Sequence, residues 1–341
     1  MDKIQKCGDK VARISDVAKI AGVSPATVSR VMNGTAKVNK EKEKRVLDAI
    51  KETGFSPNEI ARSLYKKSSR IIGYIVPSLL NLFLVEIGRA IEDEAFEHGY
   101  KVIFCNADQK PEKEVAYIKM LTAMNADGII ISTIGNNPDE GMRNCPLPIV
   151  VLDKCGTEAY TASVQADNYM GGRMATEHLI ACGCQNIVQM HGSQDFSNAR
   201  RRFRGYSDVC LEHNIEPQYI ESSYDYSGGI MRSRELLERF PKVDGVLAVS
   251  DMVALSLYRV LHETGRRVPE DIMIVGYDNL EISSLMTPSL TTVAQPLEQI
   301  GRISAKIIID MVENNKREQR GIILPVSMKI RETTIVKTSP Q

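Results

Sequence analysis

Polar side chains stand at the ends of four apolar runs: Asp153 after PIVVL, Ser250 and Asp251 after GVLAV, Asp278 after IVGY and Gln295 after LTTVA. A carboxylate accepts and a carboxamide both donates and accepts, so each can take two hydroxyl hydrogen bonds of a polyhydroxylated small molecule. Asp251 has a second reading, preferred for it, as the N-cap of the helix that follows. A different chemistry is written near the start. Pro25, Ala26, Ser29, Arg30 and Asn33 recur at steps of three and four, opposite the apolar Val28, Val31 and Met32. Small polar groups and a guanidinium on one helix face suit phosphates and base edges in a major groove, while a hairpin that merely caps a larger domain is the alternative. Catalytic constellations are missing. The sequence holds no G-x-S-x-G, no Walker A and no G-x-G-x-x-G, and Gly171-Gly172 falls at a helix start without that fingerprint. The five histidines are isolated, which leaves no nucleophile–base pair and no enzyme reading; His191 follows a strand, where a structural or surface role is favoured over cleft lining.

The elements that must position these groups fall into two textures. Ser15 is read as the cap of a first helix whose apolar side is Val17, Ala18, Ile20 and Ala21, and Gly22 is the turn. Ser24 at N-cap and Pro25 at N1 open the second helix. Asn39 caps a third helix, with Val46, Leu47, Ala49 and Ile50 as its apolar side and Gly54 as its end. Two short helices about a glycine make a helix-turn-helix pattern. Ser56-Pro57-Asn58-Glu59 is then a complete start signal for a helix of about two turns. A helix that short is marginal alone, so it reads either as a switch between domains or as a docked linker. From Ile71 onward, strands alternate with helices, and the rhythm restarts after Gln165. Repeated βαβ units imply two lobes with parallel sheets, and ligands of such sheets sit outside the strands' carboxyl ends.

The expected fold class is therefore α/β: an all-α helix-turn-helix headpiece and hinge helix joined to a two-lobed body. Expected boundaries are a disordered lead-in at 1–13, the headpiece at 14–55, hinge and linker at 56–70, and an effector-binding and dimerisation domain at 71–341. Within that domain, lobe 1 takes about 71–167 and 296–327, and lobe 2 about 168–295 and 328–341. Charge divides the same way. Residues 1–70 hold 16 Lys+Arg against 8 Asp+Glu, whereas the remainder holds 27 against 35. A basic module on an acidic body is the balance expected of a nucleic-acid binder. Seven cysteines, odd in number and without C-x-x-C, argue against a disulfide framework or a zinc site, and no cofactor is implied. Without a signal-peptide h-region in residues 1–13 or a run of membrane-span length, the expected location is cytoplasmic, with no membrane partner.

Read together, DVAKIAGVSPATVSRVMNG, SPNEIARSL, VPEDIMIVGYDN and MTPSLTTVAQP make the chain resemble the lac repressor family of sugar-responsive transcription regulators, from residue 14 to about 335. Within that family, PNEIARSLYKKSSRIIG together with NLF, LDK and FCNAD is most like the ribose operon repressors. The resemblance implies a periplasmic-binding-protein-like body and a homodimer on a near-palindromic operator in double-stranded DNA. A small sugar, ribose or a related pentose, would be held between the lobes. It assigns Ser24, Pro25, Ala26, Thr27, Ser29, Arg30 and Asn33 to the recognition helix, and Asn58, Ala61 and Leu64 to a hinge that wedges into the minor groove. It assigns Asn81, Phe83, Asp153, Lys154, Arg202, Tyr224, Ser250, Asp278 and Gln295 to the effector cleft. Ser250 departs from the pattern, since many relatives carry Asn there. Alternative readings are a purine effector, a phosphorylated carrier protein as corepressor, and a transport-associated sugar-binding protein.

Overall fold

A computed structural model describes residues 12–33, 38–55, 68–132, 142, 144–153, 162–314 and 320–336, with residues 33 and 320 described by their backbone only. The chain forms two compact units that divide between Ser69 and Arg70. The first contains α1 (Ile14–Ala21), α2 (Pro25–Asn33) and α3 (Lys40–Thr53). Val17, Ala18, Ala21, Val28, Val46 and Ala49 are buried together, with Val31, Met32 and Ile50 packed against them. Ser24 caps α2, accepting the Thr27 N–H at 3.2 Å, and Asn39 caps α3, accepting the Glu41 N–H at 2.9 Å. Three expectations are corrected. α1 starts one residue before Ser15, with Arg13 as its N-cap, because the Asp16 carboxylate accepts the Arg13 N–H at 2.8 Å. A carboxylate in the first helical turn is the stronger acceptor and also answers the helix dipole. Ile20 and Leu47, expected inside, are 49% and 47% exposed because three short helices enclose only a narrow stripe.

The second unit carries two six-stranded sheets. Lobe 1 has β1 (Ile71–Val76), β2 (Lys101–Asn106), β3 (Gly128–Ile131), β4 (Ile149–Leu152), β5 (Ala162–Ala166) and β11 (Arg320–Leu324), in the order β11-β5-β4-β3-β1-β2. All its pairs are parallel. That explains why IIGYIV and GIII are continuous apolar runs: helices cover both faces. Ile87 and Ile91 of α4 (Leu82–Glu97) and Ile307 and Ile308 of α11 (Leu297–Asn314) fill one side. Ile118 and Leu121 of α5 (Pro111–Ala123) fill the other.

Lobe 2 repeats the plan with β6 (Ile187–His191), β7 (Gln218–Glu221), β8 (Gly245–Leu247), β9 (Met273–Asp278), β10 (Thr291–Ala294) and β12 (Ser327–Lys329), ordered β12-β10-β9-β8-β6-β7. Only β12 runs antiparallel to its neighbour. α6 (Asn168–Ala181) and α7 (Ser197–Glu212) cover one face, α8 (Tyr226–Arg239) and α9 (Asp251–Glu263) the other, and α10 (Glu281–Leu285) follows β9. The chain passes between the lobes three times, after β5, after β10 and after β11, so the strand ends that carry the polar residues face one another across a cleft. Among the described residues, Cys105, Cys145, Cys182, Cys184 and Cys210 are joined in no disulfide. Among the described residues, no group of side chains could hold a metal ion, and no helix is long and apolar enough to cross a membrane.

Candidate functional site

The headpiece presents one polar face. Ser24, Pro25, Ala26 and Arg30 are exposed, Thr27 and Ser29 half-buried, and Val28 fully buried behind them. The Ser24 and Thr27 hydroxyls lie 2.9 Å apart, so the pair is preorganised at the helix N-terminus, where unpaired N–H groups and the dipole favour phosphate. The Asn33 side chain and the hinge residues Asn58, Ala61 and Leu64 lie outside the described residues.

In the body, the arrangement centres on Arg202, which is only 3% exposed. α6 and α7 approach closely enough that a Cβ on Gly172 would stand 2.2 Å from the Arg202 carbonyl oxygen, so a side chain at Gly172 would drive the two helices apart. That approach sets the guanidinium among fixed partners. It donates to the Val249 carbonyl and to Asn168 Oδ1 at 2.8 Å, and its carbon lies 3.3 Å from the centroid of the Tyr277 ring. Two donors and a cation–π face hold the fork in place, and Nε, buried, has no partner among the described residues.

Carboxylates surround it. Asp153 directly follows β4 with φ 56°, and burial pushes its carboxyl up to about 6 against the opposing pull of Arg202. Asp278 ends β9 with φ 113° and accepts from Gln295 Nε2 at 2.7 Å. Burial first, then the negative charge of Asp251, hold the Asp278 carboxyl well above the ordinary carboxylate range, with Arg202 opposing. Burial also pushes the Tyr224 phenol up to about 12. The Tyr224 hydroxyl and Gln295 Oε1 are buried without a hydrogen-bond partner among the described residues. Ser250 Oγ, 3.3 Å from both the Tyr224 carbonyl and the Val253 N–H, caps α9 and pins the Tyr224 backbone. A cavity of about 320 Å³ opens on Asp278 and Gln295, walled from lobe 1 by Glu86 and Leu297.

Of the expected cleft residues, the structure therefore brings Asp153, Arg202, Tyr224, Ser250, Asp278 and Gln295 into one cluster. Asn81 is at the mouth of α4, where its Oδ1 caps the Phe83 N–H at 3.1 Å. Phe83 is buried in the lobe 1 core, and Lys154 lies outside the described residues. His191 is not in the cluster. Its ring packs 5.5 and 5.2 Å from Phe203 and Tyr219, beside a separate cavity of about 470 Å³ at the outer edge of lobe 2. Sequence reasoning missed Asn168 and Tyr277, the polar and aromatic supports of Arg202. It also misread Asp251. Ser250 is the N-cap, and Asp251, fully buried, accepts the Leu280 N–H at 2.7 Å and the Thr292 hydroxyl at 2.6 Å. The cue available was an aspartate directly after a serine that already supplies the cap.

A helix-turn-helix unit with an open polar face, joined to two parallel-sheet lobes around a charged and partly unpaired cleft, defines a ligand-responsive DNA-binding regulator. Residues 13–58 match "Bacterial regulatory proteins, lacI family", and residues 176–334 match "Periplasmic binding protein-like domain". The chain is 38% identical to the ribose operon repressor of Halalkalibacterium halodurans, over 94% of this chain and 96% of that one. It is 32% identical to the HTH-type transcriptional repressor PurR of Aliivibrio salmonicida, over 91% and 95%. Its fold is similar to the crystal structure of the lac repressor dimer bound to operator and the anti-inducer ONPF, with TM-score 0.85 and 28% identity over 95% of this chain and 99% of that one. The chain belongs to the lacI family of bacterial regulatory proteins, and its relatives are DNA-binding transcriptional repressors rather than enzymes.

Proposed function

We propose that the protein acts in the cytoplasm as a homodimeric repressor whose hold on a near-palindromic operator is weakened by ribose or a related pentose bound between the lobes. The observation that carries the effector reading is the concentration, at one buried place, of polar atoms without a hydrogen-bond partner among the described residues: Arg202 Nε, the Tyr224 hydroxyl and Gln295 Oε1. Buried polar groups in folded proteins are nearly always paired, so a cluster of orphans marks where a polar ligand completes the set. Asp153 and Asp278 accept sugar hydroxyls, Arg202 and Gln295 donate, and the Tyr224 ring offers an apolar wall to a sugar face. Lys154, Asn81 and Phe83 are assigned to the lobe 1 side of the same cleft. A ligand touching both lobes favours the closed arrangement by its differential affinity.

On the DNA side, Arg30 reads base edges and Ser24, Thr27 and Ser29 contact phosphates, with Pro25, Ala26 and Asn33 on the same face. A two-fold dimer sets two such helices about 34 Å apart on the duplex. Asn58, Ala61 and Leu64 form the hinge that wedges into the minor groove, and cleft closure releases it. The test is operator binding measured with and without ribose, beside a thermal-shift panel of sugars, sugar phosphates and purines. Ribose is expected to raise the melting temperature by mass action and to weaken operator affinity by roughly 5- to 150-fold. A purine that stabilises the protein and strengthens operator binding, with ribose inert, would overturn the sugar assignment.

A further inference from the structure

We propose that Asp251 is a positioning residue for effector recognition: it holds the turn after β9 so that Asp278 points into the cleft while Leu280 plugs lobe 1. The turn needs holding. Asp278 and Asn279 are consecutive non-glycine residues in the left-handed region, at φ 113° and 59°. Such a backbone persists only where its surroundings over-determine it. Asp251 supplies one side, with Oδ2 accepting the Leu280 N–H at 2.7 Å and Oδ1 accepting the Thr292 hydroxyl at 2.6 Å. Gly276 makes room for this carboxylate, since a Cβ there would stand 2.4 Å from Oδ1. Arg331 supplies the other side, donating to Asn279 Oδ1 at 2.8 Å, to Ser283 Oγ at 3.1 Å and to the Leu290 carbonyl at 2.7 Å.

The turn reaches both lobes. Leu280 is 2% exposed and sits in the lobe 1 cluster with Phe83, Leu84, Ile87 and Leu297, two residues along from the cleft carboxylate. Asp251 thus joins, through one carboxylate, the orientation of a cleft acceptor to the seating of an interlobe plug. Electrostatics support the placement. The charged groups facing Asp251 are Arg331 from the C-terminal segment and Asp278 from β9, and those facing Asp278 include Arg202 and Asp153. Burial drives both Asp251 and Asp278 upward, and the charge of Asp251 adds to the rise of Asp278.

The inference rests on the effector reading above, so the test includes measurements that need no ligand. In ligand-free full-length protein, hydrogen exchange of the segment after β9 and a carbon-13 titration of the Asp278 carboxyl are compared between wild type and Asp251→Asn. The variant is expected to exchange about 10-fold faster at Leu280, as local opening becomes easier. Its Asp278 is expected to titrate at lower pH, because a negative neighbour has gone. Thr292→Val, which removes one bond and keeps the charge, should speed exchange without moving the titration. Ribose affinity should fall about 10-fold in Asp251→Asn, the weight of one or two lost hydrogen bonds. Unchanged exchange and an unchanged Asp278 titration would overturn the assignment. Altered exchange and titration in a protein that binds no pentose would sustain the positioning role and remove the effector reading instead.

Discussion

The two polar surfaces of this chain are built on opposite terms. On α2, Ser24 and Arg30 are exposed beside the apolar Pro25 and Ala26, so their polar groups stay open to water until DNA arrives. Around Arg202 the polar groups are taken out of water, and several have no hydrogen-bond partner among the described residues. The first surface costs the fold little, because its polar groups remain in water. The second carries a desolvation cost, which on the proposed reading a ligand relieves. On the proposed reading the regulator uses both: an open surface that reads DNA, and a closed one whose occupancy moves the lobes.

The contrast is broken most directly at Arg202. Arg202→Lys keeps the charge but loses the planar fork that reaches Asn168 and Val249 together. Charged hydrogen bonds of about 1.5–3 kcal/mol each predict a roughly 10- to 150-fold loss of ribose affinity by calorimetry. Operator affinity without sugar should be unchanged; a matching loss there would merge the two surfaces into one. Arg30→Ala is the converse and somewhat smaller test. Losing a base-edge pair of about 1–3 kcal/mol should weaken operator binding roughly 5- to 150-fold in a mobility-shift assay, with the melting temperature and ribose affinity held. The smallest effect is the pH response. The folded Asp153 carboxyl stands at about 6, above its unfolded value of roughly 3.9, so ionising it costs stability as pH rises between those values and the full cost persists above. Ribose bound to the ionised carboxylate offsets that cost, so affinity should rise several-fold between pH 5 and 7.5. A flat profile would place Asp153 away from the ligand.

How much of this was visible in the sequence depended on how far each group's partners lie along the chain. Ser24 caps Thr27 and Asn39 caps Glu41 within one helical turn, so residue type and spacing sufficed. The two-lobed α/β body was readable from apolar runs alternating with helices, since parallel strands covered on both faces must be apolar throughout. Of the polar residues at strand ends, Asp153, Ser250, Asp278 and Gln295 gather in one cluster, whereas Asp251 faces the turn after β9. Ile20 and Leu47 were placed wrongly because helical periodicity locates a face and says nothing of its width, which neighbouring helices decide.

The sequence by itself determined the helix-turn-helix, the division into a basic headpiece and an acidic body, and the polar residues at the strand ends. These follow from local capping, charge and the period of apolar residues. Only the tertiary structure decided what those residues do to one another. Arg202 meets Asn168 across 34 positions and Val249 across 47, and Asp251 meets Leu280 across 29 and Thr292 across 41. No periodicity links such distant partners. Their pairing depends on helix approach, sheet order and desolvation, which exist only once the lobes have folded, and it is there that an apparent helix cap at Asp251 became the holder of the turn beside the cleft.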